Sequence, residues 1–297
     1  MWDCKSGCCW TWVTNLSKIN FALFPTFYFQ TASSEKKDKP MKKICCFICL
    51  CFGLFQCKSD ETTLPAAATG PLISEIKTDG KLEMAFLYNA QNQLIELQKY
   101  FDDGKSIWES TRYTWTNNRV ERMEFWSSHP LYSSASPAPG KPLALENTTT
   151  CEYDAQGRVA KTNNYVGASD LRTYSVWEYD NLGRKVETKT YTPDGKNTST
   201  NSFSYDNRGN LVRWETSHWE YDDKPNPFRL LNVPSDGVYE YWASANNGTS
   251  NFGKDANGNK TNMWRYEYTY DAKTNFPITM KTITSNQTTR QSVFVYR

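Results

Sequence analysis

Three segments of the chain align without a gap: CEYDAQGRVAKT (151–162), WEYDNLGRKVET (177–188) and FSYDNRGNLVRW (203–214). Their tyrosines, Tyr153, Tyr179 and Tyr205, stand 26 residues apart. A fixed period of this length means one supersecondary unit repeated, with each copy burying its apolar face against the next. FLYNAQNQLIEL (86–97) places Tyr88 in the same register, and YTWTNNRVERME (113–124) places Trp115 there, 27 residues on. WEYDDKPNPF (219–228) and YTYDAKTNFP (268–277) keep the start of the unit and lose its end.

The unit has a physical logic. Aromatic-x-Tyr puts two large side chains on one face of a strand. The Asp that follows opens a turn through its side-chain oxygen. Gly157, Gly183 and Gly209 fall where a short hairpin loop needs positive φ. A second strand then runs to a second turn, such as Pro193-Asp194-Gly195-Lys196 or Thr78-Asp79-Gly80-Lys81, and Asp-Gly between extended runs is a hairpin signal. Each unit is thus two strands and two turns, with the turn types at opposite ends. From residue 71 onward there are 24 Thr against 13 Leu and 12 Ala, which favours strand over helix. The expected fold is all-β: an antiparallel hairpin meander of about twelve to sixteen strands, as a curled open sheet or a partly closed barrel. The pairs Phe86/Tyr88, Tyr113/Trp115, Trp177/Tyr179, Phe203/Tyr205, Trp219/Tyr221 and Tyr268/Tyr270 should form stripes on one face. These are core in the first reading. Trp177, Tyr179, Trp219 and Tyr221 are the candidates for a ligand platform if part of a stripe is exposed. Cys151 takes the first place of its pair and reads as a small buried hydrophobe.

Two insertions interrupt the period. Ser127 to Asn147 is rich in Pro, Ser and Ala, and Lys224 to Asn259 in Pro, Asn and Gly; both are expected to be loops, where binding commonly sits. The alternative for the second is a cover for the sheet edge. Chemistry is sparse. The chain has 34 basic and 32 acidic residues, so nothing points to a nucleic-acid partner. Two histidines, His129 and His218, leave little room for a His-based metal site or proton relay. Asp255-Ala256-Asn257-Gly258-Asn259 looks like a calcium loop, but Tyr266 stands at its twelfth position, so it reads as a degenerate repeat turn. No cofactor or metal is expected.

The front of the chain is different. Eight of the nine cysteines precede residue 58. Met41-Lys42-Lys43 is followed by twelve apolar or small residues, Ile44 to Phe55, the plan of an export signal and too short to span a bilayer. The segment resembles a bacterial lipoprotein signal, with Leu54-Phe55-Gln56-Cys57 as its lipobox; Gln56 stands where a small residue is usual. The resemblance implies lipid attachment at Cys57, and Lys58-Ser59-Asp60-Glu61 is similar to the acidic patch behind that cysteine in surface lipoproteins of the Bacteroidetes. Residues 1–40 then precede the true start at Met41, or form a genuine extension; 41–56 are the signal, 57–70 a tether and 71–297 the β domain. Removing 1–56 takes 7 basic and 3 acidic residues from the totals, leaving 27 and 29, a net charge of −2.

The Tyr-Asp-x-x-Gly-Arg/Asn units resemble the YD repeats of the RHS family, over roughly residues 78–297. Tyr221-Asp222-Asp223-Lys224-Pro225-Asn226-Pro227-Phe228, with Asn246-Asn247, resembles a pattern in uncharacterised Bacteroidetes lipoproteins that carry the same repeats. The resemblance implies a strand-spiral architecture; no toxin domain accompanies it. The expected protein is a non-catalytic lipoprotein, held at the outer membrane by its lipid and facing the cell surface or the periplasm. Its role is binding or scaffolding, with a glycan or an envelope protein as ligand. The alternatives are a degenerate carbohydrate-active enzyme with two carboxylates and a periplasmic structural protein.

Overall fold

The computed structural model describes residues 70–129, 139–234 and 240–297. Sixteen strands follow one another: β1 (Ile73–Thr78), β2 (Lys81–Tyr88), β3 (Leu94–Tyr100), β4 (Ile107–Thr116), β5 (Arg119–Ser127), β6 (Ala144–Tyr153), β7 (Val159–Val166) and β8 (Asp170–Tyr179). The second half holds β9 (Lys185–Tyr191), β10 (Asn197–Tyr205), β11 (Leu211–Trp214), β12 (Ser217–Pro225), β13 (Asn246–Lys254), β14 (Lys260–Tyr270), β15 (Pro277–Ile283) and β16 (Thr289–Tyr296). Each strand pairs with the next, and β1 pairs with β16 antiparallel, with Ile73 opposite Tyr296 and Ile76 opposite Phe294. The meander therefore closes into a barrel and leaves no free edge.

The repeat turns gather at one end of the barrel. In four of them the Asp or Asn after the tyrosine, Asn89, Asp154, Asp180 and Asp206, accepts backbone N–H bonds from residues two and four further on, as Asp180 does from Leu182 and Arg184 at 3.0 and 2.9 Å. Gly157, Gly183 and Gly209 have φ of 81°, 75° and 87°, the left-handed region that glycine enters without strain. One residue beyond each turn the register slips. Tyr179 faces Lys185 while Glu178 faces Glu187, so Val186 is an extra, bulged residue. The same slip occurs opposite Tyr88, Trp115, Tyr153, Tyr205 and Tyr270. Regular bulges increase strand twist, and twist is what bends a sheet towards closure.

A second device repeats eight times. The aromatic near the end of each even-numbered strand donates a hydrogen bond to a backbone carbonyl near the start of the strand before it. Tyr88 reaches Ile73, Trp115 reaches Leu94, Tyr153 reaches Val120 and Tyr179 reaches Val159, at 2.6–2.7 Å. Tyr205 reaches Lys185, Tyr221 reaches Leu211, Tyr268 reaches Gly248 and Tyr296 reaches Pro277, at 2.6–3.0 Å. Arginines then stack on the latched rings: Arg158 lies 4.5 Å from the Tyr179 centroid and Arg184 5.1 Å from that of Tyr205. At the seam Arg297 takes this part, 5.2 Å from the Tyr88 ring, with its N–H bonded to the Leu72 carbonyl.

Both insertions are shorter than the sequence suggests. Ala144 already begins β6, and Asn246–Lys254 is a full strand despite Gly248 and Gly253. Between β12 and β13 the chain turns inward. Two 3₁₀ turns, Pro227–Leu231 and Glu240–Ala243, bring Phe228, Leu231 and Trp242 against Ile73, Ile76, Phe86, Leu94, Leu97 and Phe294. Phe228 and Trp242 stack at 4.5 Å and 9°. Sixteen strands enclose more space than their own side chains fill, and this plug supplies the missing apolar mass along the wall from β1 to β3. Among the described residues, Lys224 to Lys254 is thus mainly strand and plug rather than a surface loop or an edge cover.

Candidate functional site

The plug sits in a polar clamp. The Asn226 side chain caps the first 3₁₀ turn by accepting from Phe228 N–H, and donates to the carbonyls of Trp242 and Ser244 at 3.2 and 3.1 Å. Asn247 donates to the Lys224 and Pro225 carbonyls, each at 3.2 Å. Asp222 accepts from the Lys224 and Asn247 N–H groups and from the Tyr270 hydroxyl. Burial, then the hydrogen bond to Asp222, push the Tyr270 phenol above its ordinary value. The YDDKPNPF and Asn246-Asn247 motifs are therefore accounted for by architecture.

Strand alternation separates two further surfaces. Trp177, Thr188, Ser175 and Thr162 are buried and face inward. Of the platform candidates, Trp177 is 9% exposed, with the Lys185 ammonium 4.1 Å from its ring centroid. Trp219 and Tyr221 share a face on β12, and both are half-buried. Tyr179 and Tyr221 have their hydroxyls engaged in the latches described above. The structure places all four on the inward side, with Trp177 and Tyr179 together on β8 and Trp219 and Tyr221 on β12. Cys151 is half-buried opposite Thr162. Cys57 lies outside the described residues, as do the signal and residues 58–69 of the tether.

The outward face carries ion pairs. Lys161–Glu152 and Lys189–Glu178 close at 3.2 and 2.8 Å between neighbouring strands, Lys189–Glu187 at 2.6 Å within β9, and Lys260–Glu220 at 2.6 Å across β12 and β14. A barrel crossing a bilayer presents an apolar band there, and each Lys or Arg at its midplane costs about 2–4 kcal/mol. Around these pairs the outer face suits water.

Amid these charges the outward side of β5 to β9 carries a set of half-exposed aromatics: Trp126, Tyr165, Tyr174 and Tyr191. Tyr174 and Tyr191 face each other across β8 and β9, their rings stacked at 5.1 Å and 15°. The Lys161 ammonium is 5.1 Å from the Tyr174 centroid, and the Arg112 guanidinium 4.5 Å from that of Trp126. Tyr165 stands opposite Thr148, and Tyr174 opposite Asn163. Trp126 on β5 and Tyr191 on β9 are four strands apart, roughly 19 Å. Polar groups line the row: Trp126 Nε1 donates to Glu124 at 3.3 Å, and Asn163 donates to Glu152 at 2.8 Å. That last bond, more than Lys161, holds the Glu152 carboxyl below its ordinary value. The arrangement offers flat apolar faces flanked by fixed donors and acceptors, the form of a surface that binds an extended polar ligand. Its signal in the sequence is parity: Tyr174 is three residues from Trp177, so period 2 puts it on the opposite face.

No family model matches the chain, and no curated protein matches it. Solved structures similar to it include a porin-like protein from Bacteroides uniformis, 13% identical, with a TM-score of 0.49, covering 79% of this chain and 100% of that one. A porin-like protein from Bacteroides vulgatus is 11% identical, with a TM-score of 0.37 and coverages of 77% and 99%. A Tc holotoxin pore of Photorhabdus luminescens is 13% identical, with a TM-score of 0.23; it covers 73% of this chain, which spans only 15% of that one.

Proposed function

We propose that this protein is a lipid-anchored β-barrel of the bacterial cell envelope that binds a glycan or envelope protein without transforming it. The observation that carries the binding role is the outward aromatic row on β5 to β9. Half-exposed rings on a rigid sheet, with amide and hydroxyl groups between them, hold a ligand by stacking and hydrogen bonding at little entropic cost. The lipobox resemblance at Cys57 supplies the anchor, and the ion-paired outer face suits a barrel held beside a membrane.

Three carboxylates are bound up in turns and ion pairs rather than set as general acids. A general acid needs a raised pKa. Here Asp154 and Asp180 are disfavoured as ions by burial, but hydrogen bonds from Arg158 and Arg184 outweigh it and hold both below the ordinary value. Glu220 is likewise held low, chiefly by Lys260.

The test is capture of envelope polysaccharide and envelope proteins by the full chain, compared with Trp126→Ala and Tyr174→Ala. Both side chains point outward, so folding should survive. Loss of capture by about 1–3 kcal/mol per ring, the scale of a stacking contact, is the expected result. Equal capture by all three proteins removes the row as the site. Turnover of a bound polysaccharide removes the non-catalytic reading.

A further inference from the structure

Seven large apolar side chains are exposed among the described residues, and four of them gather in one place. Ile278 on β15, Val293 on β16, Leu87 on β2 and Ile95 on β3 are 41%, 40%, 37% and 38% exposed. These strands are neighbours around the seam, with only β1 between β16 and β2. The positions follow from the repeat. Leu87 precedes the latch residue Tyr88, and Ile95 and Ile278 are the extra residues of two bulges, so all three sit near the plugged rim. Val293 lies lower, beside Thr279. Of the other bulge positions, Ala160 is small and Glu121 charged, while Val186 and Val212 are apolar but only half-exposed. The collar is not free of charge: Lys77–Glu75 lies on β1 within it, and Glu96–Arg112 borders it.

The chain enters the barrel in the middle of this collar. Gly70 packs so closely that an added Cβ would come within 2.8 Å of the Phe276 ring and 3.2 Å of Leu230 in the plug. Thirteen residue steps separate Gly70 from Cys57. Fully extended, they reach at most about 45 Å. A lipid on Cys57 would tie this rim to a bilayer by the point where the chain enters it.

We propose that the collar of Leu87, Ile95, Ile278 and Val293 is a membrane-contact face that rests on the headgroup layer beside the anchor. This inference rests on the lipidation reading above. Exposed apolar residues gathered among charges beside a lipid attachment point suit such a contact. Docked this way, the barrel stands with its plugged end on the lipid. The aromatic row, whose Trp126, Tyr165 and Tyr191 lie towards the other end of their strands, then faces away from it.

The experiment is hydroxyl-radical footprinting of the full-length lipidated protein, in detergent and in vesicles of equal parts phosphatidylcholine and phosphatidylethanolamine. Expected is protection of Leu87, Ile95 and Ile278 in vesicles, with Tyr174 and Tyr191 still labelled. A triple Leu87→Ser, Ile95→Ser, Ile278→Ser variant should keep its unfolding midpoint and show Val293, the collar residue it retains, labelled equally in detergent and in vesicles. Equal labelling in both settings, protection of the aromatic row instead, or protection already present in detergent overturns the proposal. The mass of the N-terminal peptide reports separately whether Cys57 carries lipid. If it does not, the anchor reading fails. The collar then stands or falls by whether Cys57→Ala protein sediments with the same vesicles about tenfold more than its triple-serine counterpart.

Discussion

A single phenol does much of the joining in this fold. Tyr179 donates to the Val159 carbonyl at 2.6 Å and carries Arg158 on its ring. Replacing it with Phe keeps the ring and removes the bond, so Tyr179→Phe should lose about 1 kcal/mol. Urea unfolding would read this as a lower midpoint at unchanged m-value. The turn aspartates make a complementary prediction. Burial raises the Asp180 pKa and the hydrogen bonds from Arg184 and Leu182 lower it further, so its folded value lies below the ordinary one. The stabilisation is therefore present above the ordinary carboxylate range and lost as pH falls through the folded value. Asp180→Asn keeps the turn's acceptor oxygen but loses the charge that Arg184 pairs with, so it should lower neutral stability and flatten the acid limb of a stability–pH curve. At this scale the sequence was readable where chemistry repeats: Tyr-Asp-x-x-Gly fixed the turn and the need for positive φ. The latch was not readable, because the acceptor is a backbone carbonyl 20 residues upstream, and a carbonyl has no signature.

Among the elements, the plug departs most from what composition suggests. A stretch rich in Pro, Asn and Gly reads as surface, yet Leu231 and Trp242 are 3% and 6% exposed. Its apolar residues have no period, so nothing in the sequence announces burial. The need appears only once the barrel closes and the β1 to β3 wall lacks a partner. Trp242→Ala and Phe228→Ala should each lose about 3–5 kcal/mol if the barrel cannot collapse around the gap. Because the rings stack at 4.5 Å, the double variant should lose less than the two separately, which a denaturation cycle measures. The β13 strand was hidden for a related reason: Gly248 and Gly253 argue against a strand, and its pairing with β12 and β14 outweighs them. The aromatic row on β5 to β9 was half legible. The repeat drew attention to rings on the inward face, while the outward rings had to be found by counting parity.

Over the whole molecule, burial sets an alkaline limit. It raises the phenols of Tyr88, Tyr153, Tyr221, Tyr268 and Tyr296, all of them latch residues. A folded pKa above the unfolded one means stability that is complete below about pH 10 and lost as pH rises beyond it. Alkaline titration should therefore show phenolate absorbance appearing together with loss of strand circular dichroism, in one step. Phenolate forming well before the strands melt would mean that the latches open independently. All-β class and strand count were both legible from the period, but closure was not, since it depends on summed twist. Closure also has a temporal side. Ser74 and Val295 are hydrogen-bonded across 221 positions of sequence. Until β16 has emerged, β1 has an unsatisfied margin, and so does whichever strand was made last. While the chain emerges, the sheet is a growing ribbon with two sticky borders, and only its final strand turns it into an object with none. Any chaperone that escorts it must stay until that last strand is made.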